Sequence, residues 1–240
     1  MDLKTTSTVG DGLRALFASE TRIALVIATV LVGAGAAFGL AFFLPLELRT
    51  FAEVTPFAQL TVSVLTPFAA ALLTFDLRDS DGDYRSRTAE PLRTRWIAAG
   101  VYGLIMGVYV AVVSGVAVMV AQPAQPFADP WAGAVPTAIG SVLVQLIPVG
   151  VGCAAGLLVP RLTLAALSTI VVPVGVTVLL GILAPRGTAD WLTPLGAAGH
   201  LVPGPMTVLN WAQLVVTAAL WVVLPNAIGR RLLIRRASLA

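Results

Sequence analysis

Long runs without a charged residue alternate along this chain with short clusters of charge. An α-helix rises about 1.5 Å per residue, so about 20 apolar residues cross the roughly 30 Å hydrocarbon core of a bilayer. The uncharged runs have that length. They predict six spans, near residues 23–44, 54–75, 96–121, 132–159, 162–184 and 208–229, and no Asp, Glu, Lys or Arg falls inside any of them. The expected fold class is all-α, a polytopic membrane protein with six transmembrane helices. What remains outside the spans is too short for a separate soluble domain of even about 50 residues.

The stretch ahead of the first span has its own pattern. Val9, Leu13, Leu16, Phe17 and Ile23 recur at three- and four-residue steps, while Arg14, Glu20 and Arg22 fall elsewhere on the wheel. That spacing predicts a short amphipathic helix in the membrane interface, with a plain solvated leader as the alternative. Asp2, Asp11 and Glu20 in this stretch, and the span-length run after it, argue against a cleaved signal peptide. The chain thus divides into an interfacial segment 1–22, a membrane domain 23–229 and a basic tail 230–240.

Composition agrees with the pattern. Of 240 residues, 58% are hydrophobic and 11% charged, with mean hydropathy +0.91. A soluble domain carries about 25% charge. The few cations are sorted: 13 of the 15 Lys and Arg lie on one side of the six spans, leaving only Arg49 and Arg186 on the other. By the positive-inside rule both termini are expected to be cytoplasmic. Fourteen of those cations are Arg, in an Ala-, Val-, Leu- and Gly-rich chain. That composition goes with a GC-rich bacterial genome, and hence with a bacterial plasma membrane.

Uncharged spans weaken several functions. A charge at the bilayer centre costs roughly 2.5–3.5 kcal/mol and is kept for a purpose. A proton-coupled carrier needs an ionisable relay there, and a voltage sensor needs a row of arginines. His200 is the only histidine, so no His pair can hold a catalytic metal. Ser114 and Ser141 lack a nucleophile-elbow frame, and no phosphate-binding loop of the GxxxxGK[ST] kind occurs. No catalytic residue, metal or cofactor is expected in this chain. Cys153, the single cysteine, lies in an apolar run.

Small residues are abundant instead. Gly35–Gly39, Gly103–Gly107 and Gly152–Gly156 are GxxxG pairs, suited to close helix packing within a bundle or to a dimer seam. Pro148 and Pro173 should kink their spans or free a carbonyl. Gln145 and Asn226 are the most polar residues near span interiors. Each is a candidate to line a pathway or to be satisfied by a neighbouring helix. Residues 185–210, rich in Gly and Pro yet apolar, predict short helices that dip into the outer leaflet, with Trp191 at the interface.

One cluster stands out, FDLRDSDGDYRSRTAEPLRTRW at residues 75–96, with ten charged residues in 22 positions. Orientation alone requires only Arg and Lys. Mixed signs suit a docked protein surface, where paired charges fix register; a solvated, self-compensating loop is the alternative. Within it AEPLRTRWIAAG resembles the end of the coupling helix in type-two ABC-transporter permeases, the exporter-type family: Pro91, Leu92 and Arg93, then Arg95 and Trp96 opening the third span. LRALFASETRIALVIATVL, residues 13–31, resembles that family's interfacial helix running into the first span, and residues 185–210 resemble its external segment. This chain departs in the loop, where DGDYRSRTAE, with Gly82 displaced, replaces an acidic–Arg–acidic–x–Gly–Thr element.

The resemblance implies a permease subunit. Two such chains, identical or sister, would pair in the membrane. Each would dock a separate cytoplasmic ATPase, which binds ATP and Mg, through Asp81, Asp83, Arg85, Arg87, Glu90, Pro91, Arg93 and Arg95. Leu13, Arg14, Leu16 and Phe17 would form the interfacial helix, which also touches the ATPase. Gln145, Asn226, Gly35 and Gly39 are candidates for the pathway or its packing. Membrane lipid is a further expected partner and nucleic acid is not. The competing expectations are a non-transporting anchor or regulatory subunit and an ATP-independent channel or carrier.

Overall fold

The structure is a computed structural model describing residues 8–79, 89–122, 129–201 and 206–239; the side chains of 78–79, 89–91 and 236–239 lie outside that description. Every regular element among the described residues is helical. The helices are α1 Val9–Arg14, α2 Glu20–Phe43, α3 Phe51–Asp79, α4 Ala89–Ala121, α5 Ala134–Val144, α6 Leu146–Leu158, α7 Leu162–Leu183, α8 Thr188–Leu192, α9 Pro194–Gly199, α10 Val208–Ala218 and α11 Leu224–Leu239. Among the described residues six stretches are long and apolar enough to cross a membrane: Glu20–Phe43, Phe51–Leu77, Leu92–Ala121, Ala134–Leu158, Leu162–Leu183 and Val208–Arg235. They match the six runs expected from the sequence.

Helix ends differ from the apolar runs. The expected loop 76–95 is largely absorbed: α3 continues to Asp79 and α4 begins at Ala89. Nothing in DLRD or EPLRTR breaks a helix, because Pro91 sits in the first turn, where a missing N–H is harmless. The basic tail is likewise helix, since α11 runs on to Leu239.

Two spans are interrupted. The fourth divides at Gln145 into α5 and α6. Pro148 is the cause: it has no N–H for the Val144 carbonyl, and its ring crowds that carbonyl. The sixth passes through a π turn, Ala219–Val223, just ahead of Pro225. Pro173, by contrast, lies within a continuous α7.

The core is α3 packed between α2, α4 and α6. Glycine sets the spacing. A Cβ at Gly152 would lie 2.2 Å from the Pro67 carbonyl oxygen, and one at Gly156 would lie 2.4 Å from that of Ala71. On α4, a Cβ at Gly107 would meet the Val142 Cα at 2.7 Å, and one at Gly103 would meet Val149 Cγ2 at 2.8 Å. These two GxxxG pairs are therefore internal packing. Gly35 and Gly39 have nothing within 4 Å of a Cβ and point away from the bundle. Apolar side chains on α2 and α7, among them Leu31, Val171, Ile182 and Leu183, are exposed, as suits lipid or a second copy.

Residues 185–210 contain the expected short helices, α8 and α9. They are tied to the last span. Trp221 Nε1 donates to the Leu192 carbonyl at 2.7 Å, and Thr217 Oγ1 donates to the Trp191 carbonyl at 3.1 Å. Leu201 packs with Val144 and Ile147, beside the break in the fourth span. Asp190 Oδ1 lies 3.8 Å from His200 Nε2.

Candidate functional site

At one end of the bundle the N-terminal segment, the end of α3 and the start of α4 converge. The segment is built by its caps. Thr8 opens α1 with a capping box: its hydroxyl accepts from the Asp11 N–H, and its own N–H donates to Asp11 Oδ2 at 2.9 Å. The Thr8 N–H and, at 2.7 Å, the Thr8 hydroxyl both donate to that carboxylate and hold it below the usual carboxylate range, with a smaller push from Arg14. Ser19 caps α2 in the same manner, accepting from the Arg22 N–H.

The expected amphipathic helix is present but short, α1 followed by a 3-10 turn at Ala15–Phe17. Its inner face docks on protein. A Cβ at Gly12 would lie 2.6 Å from Ala98 Cβ on α4, and Leu16 is buried in the main core with Leu13 against it. Phe17 and Arg14 are exposed.

Arg22 fastens this segment to the bundle. Its Nη1 donates to the Ala15 carbonyl at 2.7 Å and its Nη2 to Asp76 Oδ1 at 2.5 Å. Asp76 is the first acid after the apolar run of α3. Arg95, half-buried on the first turns of α4, feels both charges, and its Nη1 is enclosed without a hydrogen-bond partner. Arg95 thus lies within electrostatic reach of the Arg22–Asp76 pair, where α2, α3 and α4 meet.

Of the residues expected to touch an ATPase, Asp81, Asp83, Arg85 and Arg87 lie outside the described residues. Glu90 and Pro91 are in the first turn of α4, their side chains outside the description. Arg93 is exposed, whereas Arg95 is half-buried within electrostatic reach of Arg22 and Asp76. Leu92, between them, is buried against Leu157 of α6 and Leu233 of α11. The start of α4 therefore offers Arg93 outward and uses its neighbours for packing. Arg22 and Asp76 carry no motif; their signal is only that they border apolar runs at the same end.

Gln145 sits in the middle of the bundle and is fully buried. Its Nε2 lies 2.6 Å from Gln59 Oε1, 3.0 Å from Ser63 Oγ and 3.2 Å from the Gln59 carbonyl. Its Oε1 accepts from Thr66 Oγ1 at 3.2 Å, and Gln59 Nε2 donates on to the Gly107 carbonyl at 3.0 Å. Of its two sequence readings, the structure gives it satisfied neighbours. The network joins α3 and α4 to the point where the fourth span breaks.

Asn226 has a different setting. Its Nδ2 donates to the Gly150 and Val222 carbonyls, both at 2.8 Å, while its Oδ1 is enclosed without a partner. The two acceptors fix the amide's orientation. Asn226 lines a cleft of about 700 Å³ between α4, α6 and α11, with Trp96, Val149, Arg230 and Arg231 also in its wall. Gly35 and Gly39, the remaining candidates, stand apart from it on α2.

At the opposite end Arg49, which the sequence marked only by its side, closes two helices. It donates to the carbonyls of Phe42 and Leu44 at the end of α2 and of Ala121 at the end of α4. Those are orphan carbonyls that water or a cap must satisfy. No family model matches this chain, and neither does any curated protein or solved structure.

Proposed function

We propose that this chain is the membrane subunit of an ATP-driven exporter, working beside a second permease and coupled to a separate cytoplasmic ATPase through residues 76–95. The observation that carries the reading is the charged platform: α1, the end of α3 and the start of α4 come together at one end, pinned by Arg22 and Asp76. A partner pressing there would act on three elements at once. The location proposed is a bacterial plasma membrane, with this end cytoplasmic as the Lys and Arg distribution favours.

A non-transporting anchor is the second reading. It is favoured by the central glutamines, which are spent on each other rather than on a passage.

The test is purification of the complex from its own membranes, intact or with Arg85, Arg87 and Arg93 reversed to Glu together. An exporter subunit brings with it an ATP-hydrolysing chain, which the charge reversal releases while the thermal transition of the membrane part is unchanged. A complex that survives the reversal, or that never hydrolyses ATP, refutes the reading. ATP-dependent uptake into inverted vesicles separates exporter from anchor.

A further inference from the structure

Between α4, α6 and the last span the bundle is open, and its glycines show why. Val222 occupies the place of a side chain at Gly150, with Cγ1 2.4 Å from a Cβ there, and Leu157 does the same at Gly229, at 2.6 Å. These contacts press the last span onto α6. Gly100, on the α4 wall of the gap, has nothing within 4 Å of a Cβ. The last span therefore stands off α4 at this level. The space left is the cleft of about 700 Å³, within the roughly 300–1,000 Å³ of small-molecule sites.

The cleft has two unlike ends. Its deep end is apolar, with Leu146 beside the break in the fourth span and Val149, Val222 and Val223 near it. Its other end carries Arg230 and Arg231, exposed and in no ion pair among the described residues, and no carboxylate is in the lining. Leu233 packs on Leu92 at the start of α4, so the arginines are level with the charged platform. Arg230 lies roughly two turns, about 12 Å, beyond Val222. That is close to one leaflet's share of the roughly 30 Å hydrocarbon core. Leu146, Val223 and Ile234 are exposed on its walls, so the cleft is open along its side, where a span meets lipid.

The groove is thus about one leaflet deep, apolar below and cationic at headgroup level. We propose that it holds one anionic phospholipid of the surrounding bilayer, of the phosphatidylglycerol class, with an acyl chain along α6 and its phosphate on Arg230 and Arg231. Guanidinium and phosphate match in bidentate geometry. A choline headgroup would bring a third cation beside the two arginines, whereas a glycerol headgroup brings none. Basic pockets between membrane helices on the cytoplasmic side are a recurrent setting for anionic headgroups. Bound there, the lipid fills the gap between α4 and the last span. Binding requires neither an ATPase nor transport, so it stands apart from the exporter reading.

The experiment uses the full chain in nanodiscs of phosphatidylcholine, with a rising fraction replaced by phosphatidylglycerol carrying dibrominated chains. Bromine quenches tryptophan on contact, and Trp96 is the one tryptophan in the cleft wall. The part of the quenching that Trp96→Phe removes therefore reports the cleft. That part should saturate, with an affinity over dibrominated phosphatidylcholine on the order of tenfold. Arg230→Gln with Arg231→Gln should bring the ratio near one, and both positions are exposed, so the fold is kept. Gly100→Leu should remove the saturable part without lowering the thermal transition, because its side chain enters the cleft and meets no neighbour. A ratio near one in the unaltered chain overturns the proposal, as does a tenfold ratio that persists in the double variant. Saturable quenching that survives Gly100→Leu also overturns it, and marks headgroup attraction at the surface instead. Full displacement by inorganic phosphate would make this an anion site and overturn it as well.

Discussion

Replacing Gln145 by Leu tests whether the centre of the bundle is a weld or a passage. Leucine keeps nearly the same volume, so the change is chemical rather than a cavity. The amide has only two Nε2 protons, so its three acceptors share them, and with the bond from Thr66 about three effective hydrogen bonds disappear. Side-chain bonds inside membrane proteins average about 0.6 kcal/mol and reach about 1.7. Thr66 and Ser63 keep other partners, since each also donates to a carbonyl four residues back. Gln59 Oε1 does not, and an orphaned buried acceptor costs about 1–3 kcal/mol. The expected loss is about 2–4 kcal/mol. Gln59→Leu alone should cost less, about 1–2 kcal/mol, because Gln145 keeps Ser63 Oγ, the residue-59 carbonyl and Thr66. The double variant has no orphan at this site, so it should cost less than the sum, with a coupling of about 1–2 kcal/mol. Equilibrium unfolding in mixed micelles, by titration with a denaturing detergent, measures all four corners. Additive single effects would refute the network. A Gln145→Leu protein of unchanged stability would also refute it, and would return this residue to the pathway.

The three glycine pairs should separate cleanly. Gly152→Ala places a Cβ 2.2 Å from backbone and should cost more than about 3 kcal/mol, read by the same unfolding assay, whereas Gly35→Ala and Gly39→Ala should stay within about 0.5 kcal/mol. Loss of a crosslinked dimer in Gly39→Ala, without loss of stability, would mark α2 as a contact between copies. Arg22→Gln should free the N-terminal segment, costing about 1 kcal/mol because the pair with Asp76 is partly solvated, and should speed proteolysis within residues 8–19; an unchanged cleavage rate would show that Gly12 and Leu16 hold the segment alone. Asp11 titrates lower in the folded chain than in the unfolded one, so its cap is at full strength above the ordinary carboxylate range and is lost as pH falls through the folded value. Thr8→Ala should move the Asp11 carboxyl titration, followed by carbon NMR, back up toward that range.

The spans were legible because lipid punishes every other arrangement. An uncharged run of about 20 residues has few fates besides a crossing helix. Helix ends were less legible, since a helix need not stop where its apolar face stops, and residues 76–79 and 89–95 carry charge without any breaker. Pro148 signalled the break at Gln145, and Pro225 offered the same signal just after the π turn, where only the tertiary setting shows that Val222 packs on Gly150. The glycine pairs make the sharpest contrast. All three have the same spacing, yet two carry helix contacts and one faces outward, because spacing describes a helix surface and not its neighbour. Arg49 was counted for its side and turned out to be a double cap, a role written only in three carbonyls distant or adjacent in sequence.

On the exporter reading, the packing decides how a push at the charged platform would travel. The push enters at the ends of α3 and α4. From α3 it passes through carbonyl-to-glycine contacts at Gly152 and Gly156 into α6, and from α4 through Gly103 and Gly107 into α5 and α6. Contacts this close have no slack, because interiors are packed near crystal density and even small displacements are resisted. The glutamine network adds a second tie between the same helices. These four helices must then move as one body, with no gap opening among them. α11 is held to that body in the same way, by Gly150 against Val222 and Gly229 against Leu157, whereas α7 makes no such glycine contact and its outer face is largely exposed. A passage would therefore open along the border of the rigid body, where α7 meets it or where two copies face each other, and not through the middle of one chain.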